Sequence, residues 1–163
     1  MENSLPPNSL KYPAGAVRIL IVEDDFWISN VVADMLKHEG YHVDCAPDGE
    51  AGWAALCAKP FDLLITDEDM PKLTGMDLLR KARGALFNLP AIMISGDVPW
   101  NEPDLMELLT PGVAMTKPFS FPELLTNVRD LLHPKKPTRE AREQNATDNF
   151  NQVIAQQYWP ATV

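Results

Sequence analysis

Cysteine is almost absent: the chain of 163 residues holds two, Cys45 and Cys57. They stand too far apart for a CxxC motif and are too few for a disulfide framework. They read as small buried apolar side chains in a reducing compartment. Long hydrophobic runs are missing too. Purely apolar stretches such as Leu63 to Ile65 last a few residues, whereas a membrane-spanning helix needs about twenty. Met1 to Gly15 holds no apolar core between charges and does not read as a secretory signal. The sequon Asn145-Ala146-Thr147 therefore carries no meaning, and the chain reads as cytoplasmic. Basic charge is scarce as well: 14 Lys and Arg face 23 Asp and Glu, a formal net charge of −9. Nonspecific nucleic-acid binding needs a basic footprint, so that class is disfavoured.

What is present is an ordinary globular composition, 45% apolar and 23% charged. A chain of this length buries roughly 70% of its unfolded surface, enough for a core without staples. The excess acid is concentrated: Val17 to His133 carries 9 basic and 19 acidic residues, whereas the first 16 residues cancel and the last 30 sum to +1. Residues 1–16, with Pro6, Pro7 and Pro13, read as a loose leader, 17–133 as one domain, and 134–163 as a tail. In that tail Phe150, Val153, Ile154 and Tyr158 lie near helical spacing after Thr147 as a cap, which reads as a short helix docking on the domain or, equally, as simple disorder. Lys135, Lys136, Arg139 and Arg142 stand at its start. A tail of this size holds no helix-turn-helix or catalytic output domain.

Within 17–133, apolar runs alternate with helical patterns. Arg18 to Val22, Tyr41 to Cys45, Phe61 to Thr66, Pro90 to Ile94 and Val113 to Thr116 read as strands. Between them, Ile28, Val31, Val32, Met35 and Leu36 form one helical face ended by Gly40. Asp48 is placed to cap a second helix, Gly75 opens a third over Met76 to Arg83, and Asn101 to Leu109 reads as a short fourth, crowded by Pro99, Pro103 and Pro111. Leu124, Leu125, Val128, Leu131 and Leu132 give the fifth its apolar face, with Ser120 and Glu123 at capping-box spacing. Five βα units predict an α/β fold: a doubly wound, five-stranded parallel sheet with helices on both faces. Ligands of such sheets sit at the carboxyl ends of the strands, at the topological switch point.

The residues at those ends form a set. Strand one ends in Glu23-Asp24-Asp25, strand three in Asp67, strand four in Ser95-Gly96 and strand five in Lys117-Pro118. Crowded carboxylates repel, and a hard divalent cation relieves them. Mg²⁺ is the ion that pairs a few carboxylates with phosphate oxygens, and the lysine marks the place for a phosphoryl oxygen. Asp25 reads as a helix N-cap rather than a ligand. His38, His42 and His133 are scattered without metal-ligand spacing, and Trp53 and Trp100 read as packing or rim aromatics.

Ile-Val-Glu23-Asp24-Asp25, Asp67-Glu-Asp-Met-Pro71 with Gly75 four residues on, Ile-Met-Ile-Ser95-Gly96 and Thr-Lys117-Pro118-Phe119 together resemble the receiver domain of bacterial response regulators. The resemblance covers Val17 to about His133 and implies a flavodoxin-like (βα)5 fold. It implies that Asp67 attacks a phosphohistidine and becomes an aspartyl phosphate, and that Glu23, Asp24, Asp67 and the backbone carbonyl of Asp69 hold Mg²⁺. Ser95 and Lys117 would then bind the phosphoryl group, Gly96 would leave it room and offer its N–H, and a cis peptide would join Lys117 to Pro118. The donor would be a histidine kinase or a histidine phosphotransfer protein, and the signal would leave through changed contacts with an unknown downstream protein. Three residues before the lysine, where the family usually has Tyr or Phe, stands Ala114. The proline-rich fourth helix also disfavours the dimer face that many family members build there, so the resemblance is to a stand-alone, monomeric receiver.

Two other readings are consistent with parts of the pattern. Asp67-Glu-Asp69 after an apolar strand resembles the DxD of haloacid-dehalogenase-like phosphatases, with Ile94-Ser95 and Lys117 as their later motifs. In that class, however, the paired acids follow the lysine, and here Glu23-Asp24 precede Asp67. The third reading is a receiver-like binding module that is never phosphorylated, against which every pocket residue type is present.

Overall fold

The computed structural model describes residues 16–133; the leader and tail readings lie outside the described residues. Five strands and five helices alternate: β1 (Arg18–Val22), α1 (Phe26–His38), β2 (His42–Ala46), α2 (Gly49–Ala58), β3 (Leu63–Asp67), α3 (Gly75–Gly84), β4 (Ala91–Ser95), α4 (Leu105–Leu109), β5 (Gly112–Thr116) and α5 (Phe121–Leu132). All strand pairs are parallel, in the order β2-β1-β3-β4-β5. This is the doubly wound, flavodoxin-like arrangement predicted from the alternation. The order reverses between β1 and β3, so their carboxyl ends flank the switch-point crevice.

Alternation along each strand builds two cores. Ile19, Ile21, Leu63, Ile65, Ile92 and Ile94 face α1 and α5, packing on Val32, Leu36, Leu124 and Val128. Leu20, Val22, Leu64 and Met93 face the other way, onto Leu56 of α2, Leu78 and Leu79 of α3, and Leu105 and Leu109 of α4. β1, β3 and β4 are buried along their whole length. Trp53 is a packing residue, edge-on to Phe87 with the Lys81 ammonium over its ring. Among the described residues no helix is long and apolar enough to cross a membrane.

Helix ends follow local chemistry. The Asp25 carboxylate accepts from the N–H groups of Trp27 and Ile28 at 2.8 and 3.1 Å, as an N-cap should. Asp48 accepts from Ala51 and Ser120 from Glu123. Gly40, at φ 91°, closes α1 in the left-handed conformation that glycine adopts at little cost.

Four expectations need correction. Cys45 and Cys57 are exposed rather than buried, Cys45 on the edge strand β2 and Cys57 on the outer side of α2. Val31 leaves the predicted buried face of α1 and is 56% exposed, facing a groove rather than the core. β2, β3 and β4 start and end one or two residues later than the apolar runs suggest, because each ladder is set by its neighbours: Asp67 pairs with Ile94 and Ser95 with Thr116. Two polar residues thus end buried strands. Finally α4 is only Leu105–Leu109. Residues 101–104 form turns instead of its first turn, as the ring of Pro103 pushes the preceding Glu102 out of the helical conformation.

Gly52 sets how closely α2 approaches β1. A Cβ there would lie 2.7 Å from Val22 Cγ2, in the last residue before Glu23. Val22 is fully buried and β-branched, so it has no free rotamer to retreat into. Gly52→Ala is therefore expected to destabilise the domain by about 1–2 kcal/mol through overpacking, despite alanine's better helix propensity. A urea denaturation midpoint below that of the wild type is the measurement that checks it.

Candidate functional site

The carboxyl ends of β1 and β3 bring Glu23, Asp24 and Asp67 together, with carboxylate oxygens within 4.8 Å of one another. Glu23 and Asp67 are buried, 6% exposed each, and Asp24 is exposed. Lys117 reaches in from the loop after β5. Its Nζ donates to Glu23 Oε2 at 3.0 Å and to Asp67 Oδ2 at 2.9 Å. The lysine's own N–H donates to the Ser95 carbonyl at 2.8 Å, which joins its loop to the end of β4. The Lys117–Pro118 peptide is cis, as is Thr110–Pro111.

Charge in this cluster is unevenly balanced. Burial pushes the Glu23 carboxyl above its usual range, with the neighbouring Asp67 adding to the rise, and the bond from Lys117 only partly offsets them. Burial also works against the Lys117 ammonium, but its bonds to Asp67 and Glu23 win and hold it more firmly protonated than a free lysine. An acidic pocket with one resident cation is able to take another.

The other predicted residues stand nearby in different roles. Ser95 is fully buried at the end of β4, and its hydroxyl donates to the Asp97 carbonyl at 3.0 Å while accepting from the Asp97 N–H at 3.1 Å. It does not touch Asp67 in this arrangement. Gly96 is exposed, with nothing within 4 Å of where a Cβ would lie, so the space beside it is open. Asp69 is exposed in the β3–α3 loop.

Sequence reasoning missed Glu68. Its carboxylate turns away from the pocket and accepts from the Met76 N–H at 2.7 Å, while its carbonyl accepts from the Gly75 N–H at 3.1 Å. With Thr74 Oγ1 accepting from Asp77, the first three N–H groups of α3 are all satisfied, two of them by Glu68. The Glu68 N–H in turn donates to Asp67 Oδ1 at 2.7 Å. One residue thus staples the start of α3 to the acidic end of β3. Gly75 is needed for the same closure, because a Cβ would run into the Asp67 carbonyl and approach Glu68 Oε2. Burial raises the Glu68 carboxyl above its usual range. The only signal in the sequence was an acid six residues ahead of the Thr74 cap, too far for any capping-box rule.

An apolar groove of about 710 Å³ adjoins the cluster, lined by Trp27, Ile28, Val31, Met35, Pro118 and Phe119 among others. Lys117 belongs to both the groove wall and the acidic cluster. Trp27, 77% exposed on the groove wall, stacks edge to face with Phe26, itself 69% exposed.

Comparison with known proteins agrees with this geometry. Residues 19–129 match the family model described as the response regulator receiver domain. The transcriptional regulatory protein RprY of Bacteroides fragilis is 33% identical over 118 residues, 71% of this chain and 49% of RprY. The chain spans about half the length of the curated relatives it matches. Among solved structures, a receiver domain of a Francisella response regulator superposes with a TM-score of 0.65 at 28% identity, covering 74% of this chain and 99% of that one. The response regulator TrrA of Thermotoga maritima, solved in complex with Mg²⁺ and beryllofluoride, gives 0.65 at 27% identity over 71% of this chain and 99% of its own.

The Glu68 staple makes a specific expectation. Glu68→Ala leaves the Met76 N–H without its acceptor, while the Gly75 N–H keeps the backbone carbonyl, and lowers stability by about 1 kcal/mol, the usual worth of a cap. Glu68→Gln keeps an oxygen for the Met76 N–H and stays within about 0.5 kcal/mol of the wild type. Chemical denaturation of the three proteins side by side distinguishes this from a simple charge effect, in which the two variants would behave alike.

Proposed function

Since the chain belongs to the response regulator receiver family, whose members accept phosphoryl groups from histidine kinases, we propose that Asp67 is its phosphoacceptor. The observation that carries the assignment is the convergence of Glu23, Asp24 and Asp67 on one sheet edge with Lys117 bridging two of them. A carboxylate oxygen of Asp67 forms a bond to phosphorus as the P–N bond of a phosphohistidine breaks. The histidine leaves and an acyl phosphate remains. Little covalent chemistry falls to the protein, which aligns the reactants and balances charge.

The donor set fits a hard divalent cation: oxygen ligands only, three carboxylates in reach of a common point, and a net negative cluster after Lys117 is counted. Glu23, Asp24, Asp67 and the backbone carbonyl of Asp69 would hold Mg²⁺, which when bound offsets the negative charge of the phosphoryl oxygens. The chain's own residues do the rest. Lys117 exchanges its bond to Asp67 for one to a phosphoryl oxygen. The Ser95 hydroxyl leaves Asp97 and donates to another, and the open space beside Gly96 admits the group and offers an N–H. The product carries close to two negative charges where one carboxylate stood.

The donor protein docks, in this reading, on the groove between α1 and the β5–α5 loop. A phosphohistidine must come within bonding distance of Asp67, and this apolar surface is continuous with the acidic site through Lys117. The short α4 leaves few regular turns for a self-complementary surface, which supports a monomer that signals by changed protein contacts.

Two measurements test this. Incubation with acetyl phosphate and Mg²⁺ gives a base-labile adduct of one phosphoryl group that Asp67→Asn lacks. Millimolar Mg²⁺ raises the thermal midpoint of the wild type but not of Asp24→Ala. Equal labelling of Asp67→Asn would overturn the assignment. For the groove, Trp27→Ala keeps the wild-type rate with acetyl phosphate and loses about tenfold in transfer from a phosphorylated histidine phosphotransfer protein, as expected for an exposed aromatic anchor.

A further inference from the structure

Asp104 stands at the N-cap of α4, yet its side chain caps nothing. The other four helices all have a capping side chain: Asp25, Asp48, Thr74 and Ser120. Both Asp104 oxygens instead accept from Arg80 of α3, from Nε at 2.8 Å and from Nη2 at 3.1 Å. Arg80 Nη2 also donates to Glu102 at 3.0 Å, and Nη1 to Asp77 of its own helix at 3.1 Å. The guanidinium fork thus fastens the segment entering α4 to α3, with the bidentate geometry that makes arginine–carboxylate pairs specific. Arg80 draws the Asp104 carboxyl below its usual range, consistent with a formed ion pair.

The same segment is tied at its other end by Ser95, whose hydroxyl both donates to and accepts from the backbone of Asp97. Between the two ties lie Val98, which is buried, and Trp100, 62% exposed, with Pro99 and Pro103 excluding regular helix. If Asp67 is the phosphoacceptor, on which this inference rests, phosphorylation recruits the Ser95 hydroxyl and undoes the first tie. The Arg80 fork then remains as its side-chain tie, beside the buried Val98.

We infer that Arg80 is a latch: it keeps residues 97–104 in the resting arrangement, and Asp104 exchanges Arg80 for the free N–H groups of α4 when the site is phosphorylated. Asp104 has two mutually exclusive employments, ion-pair partner and helix N-cap, and both are chemically suited to it. Coupling of this kind is reciprocal, so weakening the latch must tighten binding of the phosphoryl group or its mimic. Because the pair is exposed, salt weakens it.

The test uses the full chain and beryllofluoride with Mg²⁺, read by intrinsic tryptophan fluorescence. Arg80→Ala removes the fork, and Asp104→Asn keeps a good N-cap while losing the ion pair. Both are expected to bind beryllofluoride about fivefold more tightly than the wild type, the scale of a single exposed arginine clamp. The gap should close in about 0.5 M salt, where the wild-type latch is already screened. Amide exchange over 97–109 in the unliganded proteins should be faster in Arg80→Ala than in the wild type. Wild-type affinity in both variants, with the wild type itself binding in an Asp67-dependent way, overturns the latch and leaves the phosphoacceptor reading standing. Unchanged exchange in Arg80→Ala also overturns it. Failure of the wild type to bind, or binding that survives Asp67→Asn, overturns the phosphoacceptor reading and the latch with it.

Discussion

Repulsion among carboxylates at one edge of a buried sheet is the constraint around which this domain is arranged. Glu23 and Asp67 are both almost inaccessible to water, so neither solvent nor salt screens them well. Lys117 is what offsets them, and its position is not left to a flexible side chain alone. Its backbone N–H is held by the Ser95 carbonyl, so the neutralising ammonium is registered on β4, next to the strand that carries Asp67. Charge balance at the site and hydrogen bonding of the sheet are therefore one problem with one solution.

Placing a carboxylate as the last residue of a central strand has consequences for the chain that follows. The loop must turn away from the strand directly beside the buried Asp67 and start α3 within a few residues. Glu68 accomplishes this by accepting two helix N–H groups and donating its own N–H to Asp67. Lys72, at φ 70°, takes a conformation that non-glycine residues seldom adopt, and its ammonium bonds the Asp48 cap of α2 at 2.7 Å. The β3–α3 loop is thus anchored to two helices, which suits a site whose work is alignment.

The opposite flank is tied more lightly. Between β4 and β5 the chain offers a five-residue helix, two prolines ahead of it, and an exposed arginine fork as its main polar attachment. Ala114, partly buried on β5, packs into the core with these elements, and a methyl group there leaves no aromatic side chain to swing inward. Residues 99–104 hold no buried side chain, whereas Val98 before them and Leu105, Leu108 and Leu109 after them anchor this flank in the core.

Much of this was legible in the sequence. Five apolar runs separated by helical patterns specify a doubly wound parallel sheet, because buried parallel strands need continuous apolar residues and crossovers need helices. The acids, serine and lysine at the ends of those runs followed directly, since residues after strands of such a sheet share one edge. Asp25, Asp48 and Ser120 were readable as caps because capping is a contact between near neighbours in sequence. Tertiary structure alone decided what depends on distant partners. Whether Val31 faces core or groove turned on where the β5–α5 loop lies, and the exposure of Cys45 turned on β2 being an edge strand. Asp104, inside the stretch that reads as the fourth helix, became the partner of Arg80, 24 residues earlier, and Glu68, unremarked between Asp67 and Asp69, became the staple of α3. Sequence spacing determines which groups are available at a strand or helix end; which of them bond each other is set by the distances that folding alone creates.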